Sequence, residues 1–135
     1  MFLKQYALQN QKKHLVRTYV CCRGKAIVGY YSLAFGETGR ESAPAVLTKG
    51  VGNYPVPTMI LARLAVDVSK QGKGVGETLL KNAMMRTRQA AEIAGLRAVV
   101  VHAKDKGAQA FYAKYGFIGA KDDALTMFFP IEFAL

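Results

Sequence analysis

Between Met59 and Ala103 the sequence sets an apolar run, a glycine-rich turn, a long amphipathic stretch and a second β-branched run. That order constrains the fold more than any other feature. Met59–Asp67 and Arg97–Ala103 each read as a strand. Val75–Ala94 reads as a helix, with Leu80, Met84, Thr87, Ala91 and Ala94 at helical spacing and Gly95 to stop it. Two such strands separated by one helix belong to a parallel βαβ crossover. The expected fold class is therefore α/β (α+β) with one parallel βαβ crossover.

The flanking segments fit that plan. Val16–Cys22 and Ala26–Ala34 are strand-like runs divided by Arg23-Gly24-Lys25, which reads as a hairpin turn. Residues 2–13 are polar and Gln-rich and read as a helix remnant. Asp105 is placed to cap a second helix reaching Tyr115, with Gly116 at its end, and Leu125–Phe133 reads as a closing strand. Glu77–Lys81 and Arg88–Glu92 stand four residues apart on the wet side of the long helix. Glycines and prolines cluster from Gly36 to Pro57, which predicts a long loop of the kind usually kept for function.

Size and charge narrow the classes. A chain of 135 residues, 51% hydrophobic, suits one domain over 1–135 with a real core. The net charge of +10 points to an anionic partner. The excess is one-sided: residues 1–58 hold eight Lys and Arg against two Glu. Lys12, Lys13, Arg17, Arg23 and Lys25, with Lys49, form either a solvated face or a polyanion contact. Arg63 interrupts the best apolar run, so no segment spans a bilayer, and no secretory start is visible. Cys21 and Cys22 are adjacent, which suits neither a disulfide nor a zinc set, and a reduced cytoplasmic setting is expected.

The chemistry concentrates in three places. Gln71-x-x-Gly74-x-Gly76 joins the central strand to the long helix, where backbone N–H groups and a helix N-terminus can close on an anion. Lys70 and Lys73 add charge there. A P-loop is excluded because Gly74 follows the Gly-Lys pair, and a dinucleotide fingerprint because Glu77 replaces its third glycine. The remaining readings are a flexible connection or a phosphate cradle. Arg63, inside an apolar strand, needs a carboxylate, carbonyls or a ligand if buried. Tyr112 lies on an apolar stripe with Ala108, Phe111 and Tyr115, where pattern alone makes it a core aromatic. Asp67, Glu77 and His102 are the titratable groups nearby, and none is assigned as a base.

These strings together resemble the GNAT superfamily of N-acetyltransferases. The resemblance rests on the glycine loop after Leu61-Ala62-Arg63-Leu64-Ala65-Val66-Asp67, on Val99-Val100-Val101-His102-Ala103, and on Ala110-Phe111-Tyr112-Ala113-Lys114-Tyr115-Gly116-Phe117. Gly29-Tyr30-Tyr31-Ser32-Leu33 and Pro55-Val56-Pro57 narrow it to the toxin branch of toxin–antitoxin pairs, the TacT type. It covers roughly residues 3–133. Members of that branch carry a further strand and helix ahead of the equivalent of Leu3, so the resemblance implies a shortened start.

The resemblance implies a GNAT-like mixed central sheet with helices on both faces and an acetyl-CoA co-substrate without a metal. It implies that Leu64, Ala65, Val66, Gln71, Gly72, Lys73, Gly74, Val75, Gly76 and Phe111 hold the cofactor. It also implies that Tyr112 is the catalytic acid, since an amine attacking a thioester expels a thiolate that a phenol can protonate. The substrate implied is aminoacyl-tRNA, acetylated on its α-amine so that translation stops, with Lys12, Lys13, Arg17 and Arg63 as contacts. A ribbon-helix-helix antitoxin and a homodimer follow by the same resemblance. The alternatives are a GNAT enzyme acting on a small amine or protein lysine, and a non-catalytic binding module for acetyl-CoA or nucleic acid.

Overall fold

A computed structural model describes residues 2–6, 16–49 and 54–131. The chain divides into two compact units, Met1–Phe35 with Leu61–Arg86 and Gly36–Ile60 with Thr87–Leu135. Strands β3 (Ala26–Thr38) and β4 (Val56–Val66) and helix α2 (Val75–Ala94) contribute a segment to each.

In the first unit the strand order is β1 (Phe2–Tyr6), β2 (Arg17–Arg23), β3, β4. Both β1–β2 and β2–β3 are antiparallel. Gly24, at φ +62°, makes the two-residue turn of the β2–β3 hairpin, as the sequence predicts. Cys21 and Cys22 are free thiols. Strict alternation would bury only one of them, yet both are buried, because the β2–β3 register shifts between them. Burial raises the pKa of the Cys21 thiol.

The front of α2 meets the sheet at Gly29. A Cβ there would stand 2.8 Å from Leu79 Cδ1, 2.9 Å from the Ala65 carbonyl and 3.2 Å from Val75 Cγ1. Only a missing side chain lets the first two turns of the helix come this close. A polar lock lies one strand residue pair further on. Tyr31, fully buried, donates its hydroxyl hydrogen to Asn82 Oδ1, which also accepts from Arg86 Nε at 3.1 Å. The Arg86 guanidinium sits 4.0 Å over the Tyr19 ring, which stacks on Tyr31 at 5.2 Å.

In the second unit the order is β3, β4, β5 (Ala98–His102), β7 (Thr126–Pro130), β6 (Ile118–Gly119). β4 and β5 are the parallel pair, with α2 between them in the chain. β5 is buried along its length until His102, which explains its unbroken β-branched run. It pairs antiparallel with β7, His102 opposite Thr126 and Val100 opposite Phe128. Ala43, Leu47, Val56, Ala98, Val100 and Phe128 form one core cluster. Helix α1 (Ala45–Thr48) supplies Leu47 to it, and α3 (Lys106–Lys114) follows β5.

The mixed α/β fold and the bounds of α2 match the sequence expectation. Several local expectations do not. Residues 2–6 form a strand rather than a helix, and 7–13 lie outside the described residues. Five residues cannot sustain a helix alone, whereas the edge of β2 offers them a full ladder. β3 continues to Thr38, beyond Ala34, and the expected long loop contains α1. Arg88 and Glu92 form no ion pair among the described residues, while Lys81 and Glu77 do, at 2.9 Å.

Candidate active site

The glycine loop belongs to the first unit. β4 ends at Val66, Asp67 starts a 3-10 turn over Val68–Lys70, and α2 begins at Val75. The Asp67 carboxylate accepts from Ser69 N at 3.1 Å and so is spent on the turn. Gln71 Nε2 donates to the Val66 carbonyl at 3.4 Å and ties the loop to the strand end. Gly72 and Gly74 adopt φ +78° and +81°, and a Cβ on either would meet nothing within 4 Å. Glycine is required there by backbone conformation, and the loop surface stands open to a ligand.

The first α2 bond runs from Thr78 N to the Gly74 carbonyl at 3.0 Å, so the amides of Val75 and Gly76 precede the helical ladder. The helix dipole adds partial positive charge there, and exposed Lys73 and half-buried Lys70 add full charges. This donor set suits a diphosphate. Leu64, Ala65 and Val66, apolar yet only half-buried, lead into it.

Arg63 differs from expectation. Its side chain is exposed and has no ion-pair partner among the described residues, so no buried guanidinium has to be compensated. The burial of β4 lapses at Ala62 and Arg63, which is why strict alternation misplaces it. Arg17 is likewise exposed, at the start of β2, and Lys12 and Lys13 lie outside the described residues.

Phe111 and Tyr112 belong to the second unit, on α3. Asp105 caps this helix as the sequence predicts, its Oδ1 accepting from Ala108 N at 2.8 Å. The half-buried Phe111 stands edge-on to Tyr112 at 5.3 Å and to Tyr115 at 5.2 Å. Tyr112 is buried, its ring 5.3 Å from Phe117. Burial pushes the Tyr112 phenol above its ordinary pKa and keeps it protonated at neutral pH. Its hydroxyl makes no hydrogen bond among the described residues, yet it is not a sealed orphan, since Thr58 Oγ1 is the one such side-chain atom among them. A buried ring with an uncommitted hydroxyl has a proton it can give. Tyr31 shows the structural alternative: its hydroxyl is committed to Asn82.

Glu77 pairs with Lys81 on the surface of α2. His102 Nδ1 lies 3.0 Å from Thr126 Oγ1. Among the described residues no group of three or more His, Cys, Asp or Glu is placed to hold a metal ion, and no helix is long and apolar enough to cross a membrane.

A fold of this kind with a glycine turn at the head of its crossover helix has a family. Residues 14–118 match the acetyltransferase (GNAT) domain, and the chain belongs to that family. It is 40% identical over 126 residues to the tRNA-acetylating toxin of Mycobacterium tuberculosis, covering 93% of this chain and 75% of the relative. Among solved structures it resembles a Tyr→Phe variant of KacT with TM-score 0.84 at 28% identity, covering 90% of this chain and 75% of that one. It also resembles AtaT complexed with acetyl-methionyl-tRNAfMet, with TM-score 0.82 at 30% identity over the same shares, 90% and 75%. A Tyr→Phe variant of AtaT has been solved with the C-terminus of the antitoxin AtaR and acetyl-CoA; it matches at 28% identity and TM-score 0.74 over 90% of this chain and 71% of that one.

Proposed function

We propose that this chain is an acetyl-CoA-dependent N-acetyltransferase toxin that acetylates the α-amine of aminoacyl-tRNA and so blocks translation. The 40% identity to a tRNA-acetylating toxin over 93% of the chain carries the reading. The residues present fit the co-substrate. The open loop at Gly72 and Gly74, the amides of Val75 and Gly76, and Lys73 suit the pyrophosphate, and the β4 backbone from Leu64 to Val66 suits the pantetheine. Gln71 braces the loop, and Phe111 packs beside Tyr112. Acetyl-CoA supplies the thioester. The chain's own part is to hold that ester, to orient the acceptor amine, and to return a proton to the departing sulfur from the Tyr112 hydroxyl.

Arg17 and Arg63, exposed and uncommitted to ion pairs, with Lys12 and Lys13 in the same sequence, supply cations for tRNA phosphates. A ribbon-helix-helix antitoxin, a homodimer, a single domain and a cytoplasmic setting complete the reading and rest on the resemblance. The test is competition: the protein is given acetyl-CoA with charged tRNA, uncharged tRNA and free amino acids together. Acetylation confined to charged tRNA is expected. Acetylation of the free amines alone would replace this reading with that of a small-amine enzyme.

A further inference from the structure

The buried stripe of α2 changes character partway along. Val75, Leu79, Asn82 and Arg86 follow one another at spacings of four, three and four, so they share one face of the helix. Val75 and Leu79 are apolar and buried, as a face packed on a sheet requires. Asn82 and Arg86 are polar, and packing alone gives no reason for them.

The strand opposite is β3, which meets the glycine loop and the helix at three successive points. The Val28 carbonyl accepts from Asp67 N at 2.8 Å, where the loop leaves β4. Gly29 lets Val75 and Leu79 come close. Tyr31 gives its hydroxyl hydrogen to Asn82 Oδ1. The three contacts fix different things. The first sets where the loop begins, and the second sets how near the helix stands. Apolar contact has no direction, whereas a hydrogen bond holds its atoms within a range of about half an ångström. Only the third contact sets how far along β3 the helix comes to rest.

That contact is braced from every side. Asn82 Oδ1 also accepts from Arg86 Nε at 3.1 Å, the Arg86 guanidinium lies over the Tyr19 ring, and Tyr19 stacks on Tyr31. The four side chains close a circuit. Beside it, the buried Thr18 and Ser32 hydroxyls tie β2 to β3 at 2.9 Å. Tyr31 is fully buried, so its hydroxyl has no bulk water to turn to. A satisfied buried network of this kind specifies one arrangement of its elements. Asn82 stands two turns beyond Val75, about 10 Å along a continuous helix. A slide of the helix at Asn82 therefore reappears at the amides of Val75 and Gly76.

We infer that Asn82 is a positioning residue for acetyl-CoA: by fixing the register of α2 along β3, it holds the Val75 and Gly76 amides where the diphosphate meets them. The inference rests on the acetyltransferase reading. Every group it uses lies in the first unit.

The test uses the full chain and two probes. Acetyl-CoA carries the diphosphate, and S-acetylpantetheine carries the same thioester arm without it. Both are measured well below each variant's melting temperature, the first by calorimetry and the weaker second by NMR titration. Asn82→Ala should weaken acetyl-CoA about tenfold, the worth of one hydrogen bond to a charged group, and leave S-acetylpantetheine unchanged. Asn82→Asp keeps an acceptor oxygen for both Tyr31 and Arg86 and should restore the parent's acetyl-CoA affinity. Tyr31→Phe keeps the ring, should weaken acetyl-CoA in the same direction, and serves as the test if Asn82→Ala does not fold. Parental acetyl-CoA affinity in either folded variant, with only the melting temperature lowered, would overturn the inference and leave the circuit a structural brace. Equal losses with both probes would overturn it as well, because the damage would not lie at the diphosphate. A parent that shows this Asn82 dependence yet transfers no acetyl group would keep the positioning role and remove the acetyltransferase reading. A parent that binds no acetyl-CoA would remove both.

Discussion

Two buried tyrosines differ in what their hydroxyls do. Tyr31 commits its hydroxyl to Asn82, and Tyr112 commits its hydroxyl to nothing among the described residues. Tyr112→Phe should therefore leave the melting temperature close to the parent's, because no hydrogen bond is lost and the ring contacts to Phe111 and Phe117 stay. Single-turnover acetyl transfer should fall by roughly 10²–10⁴-fold with acetyl-CoA affinity unchanged. A parental transfer rate would return Tyr112 to the core. Tyr31 predicts the opposite pattern. Burial pushes its pKa from 10.0 up to about 12, so the folded state prefers the neutral phenol. That contribution to stability is complete below pH 10.0 and is lost as the pH rises through about 12. Tyr31→Phe should cost about 1 kcal/mol at neutral pH, while reducing the loss of stability between these limits in alkaline denaturation. An unchanged alkaline limb would show that Tyr31 is not the titrating group.

At the scale of elements, the crossover was the legible part. Helical spacing and Gly95 set α2 at Val75–Ala94, and Asp105 marked the start of α3, because both signals are local to the helix. What the sequence concealed depends on partners far along the chain. β1 exists because β2 offers an edge, β6 is two residues long, and the paired burial of Cys21 and Cys22 needs a register shift. In the candidate site, the place of the glycine loop between β4 and α2 and the capped helix that carries Tyr112 were legible in the sequence. The exposure of Arg63 was hidden because strand alternation fails where β4 loses its cover. The Thr126–His102 bond was hidden because it crosses between strands. Two glycines carry predictions at this scale. Gly74→Val forces a β-branched residue to φ +81° and should weaken acetyl-CoA binding at least tenfold by calorimetry. Gly29→Ala should lower stability by about 1–3 kcal/mol through overpacking against Leu79, Val75 and the Ala65 carbonyl, read from urea unfolding. Unchanged affinity in the first would remove the loop from the cofactor site. Unchanged stability in the second would show that α2 can shift without cost.

For the molecule as a whole, a charge of +10 stands beside a cavity lined by three carboxylates. The positive excess suits a phosphate backbone. Reversing charge at Arg17 and Arg63 together should weaken charged-tRNA binding and flatten its salt dependence, with acetyl-CoA affinity untouched; equal tRNA affinity in parent and variant at low salt would leave those arginines as solvated surface. The central claim is that acetyl is transferred to the α-amine of an aminoacyl-tRNA. Its most direct measurement compares labelled acetyl-CoA with two tRNAs, one carrying an amino acid and one carrying the matching hydroxy acid, which lacks only the amine. Label on the aminoacyl-tRNA and none on the hydroxyacyl-tRNA is the predicted result. Label on neither, from a protein that binds acetyl-CoA, would contradict it.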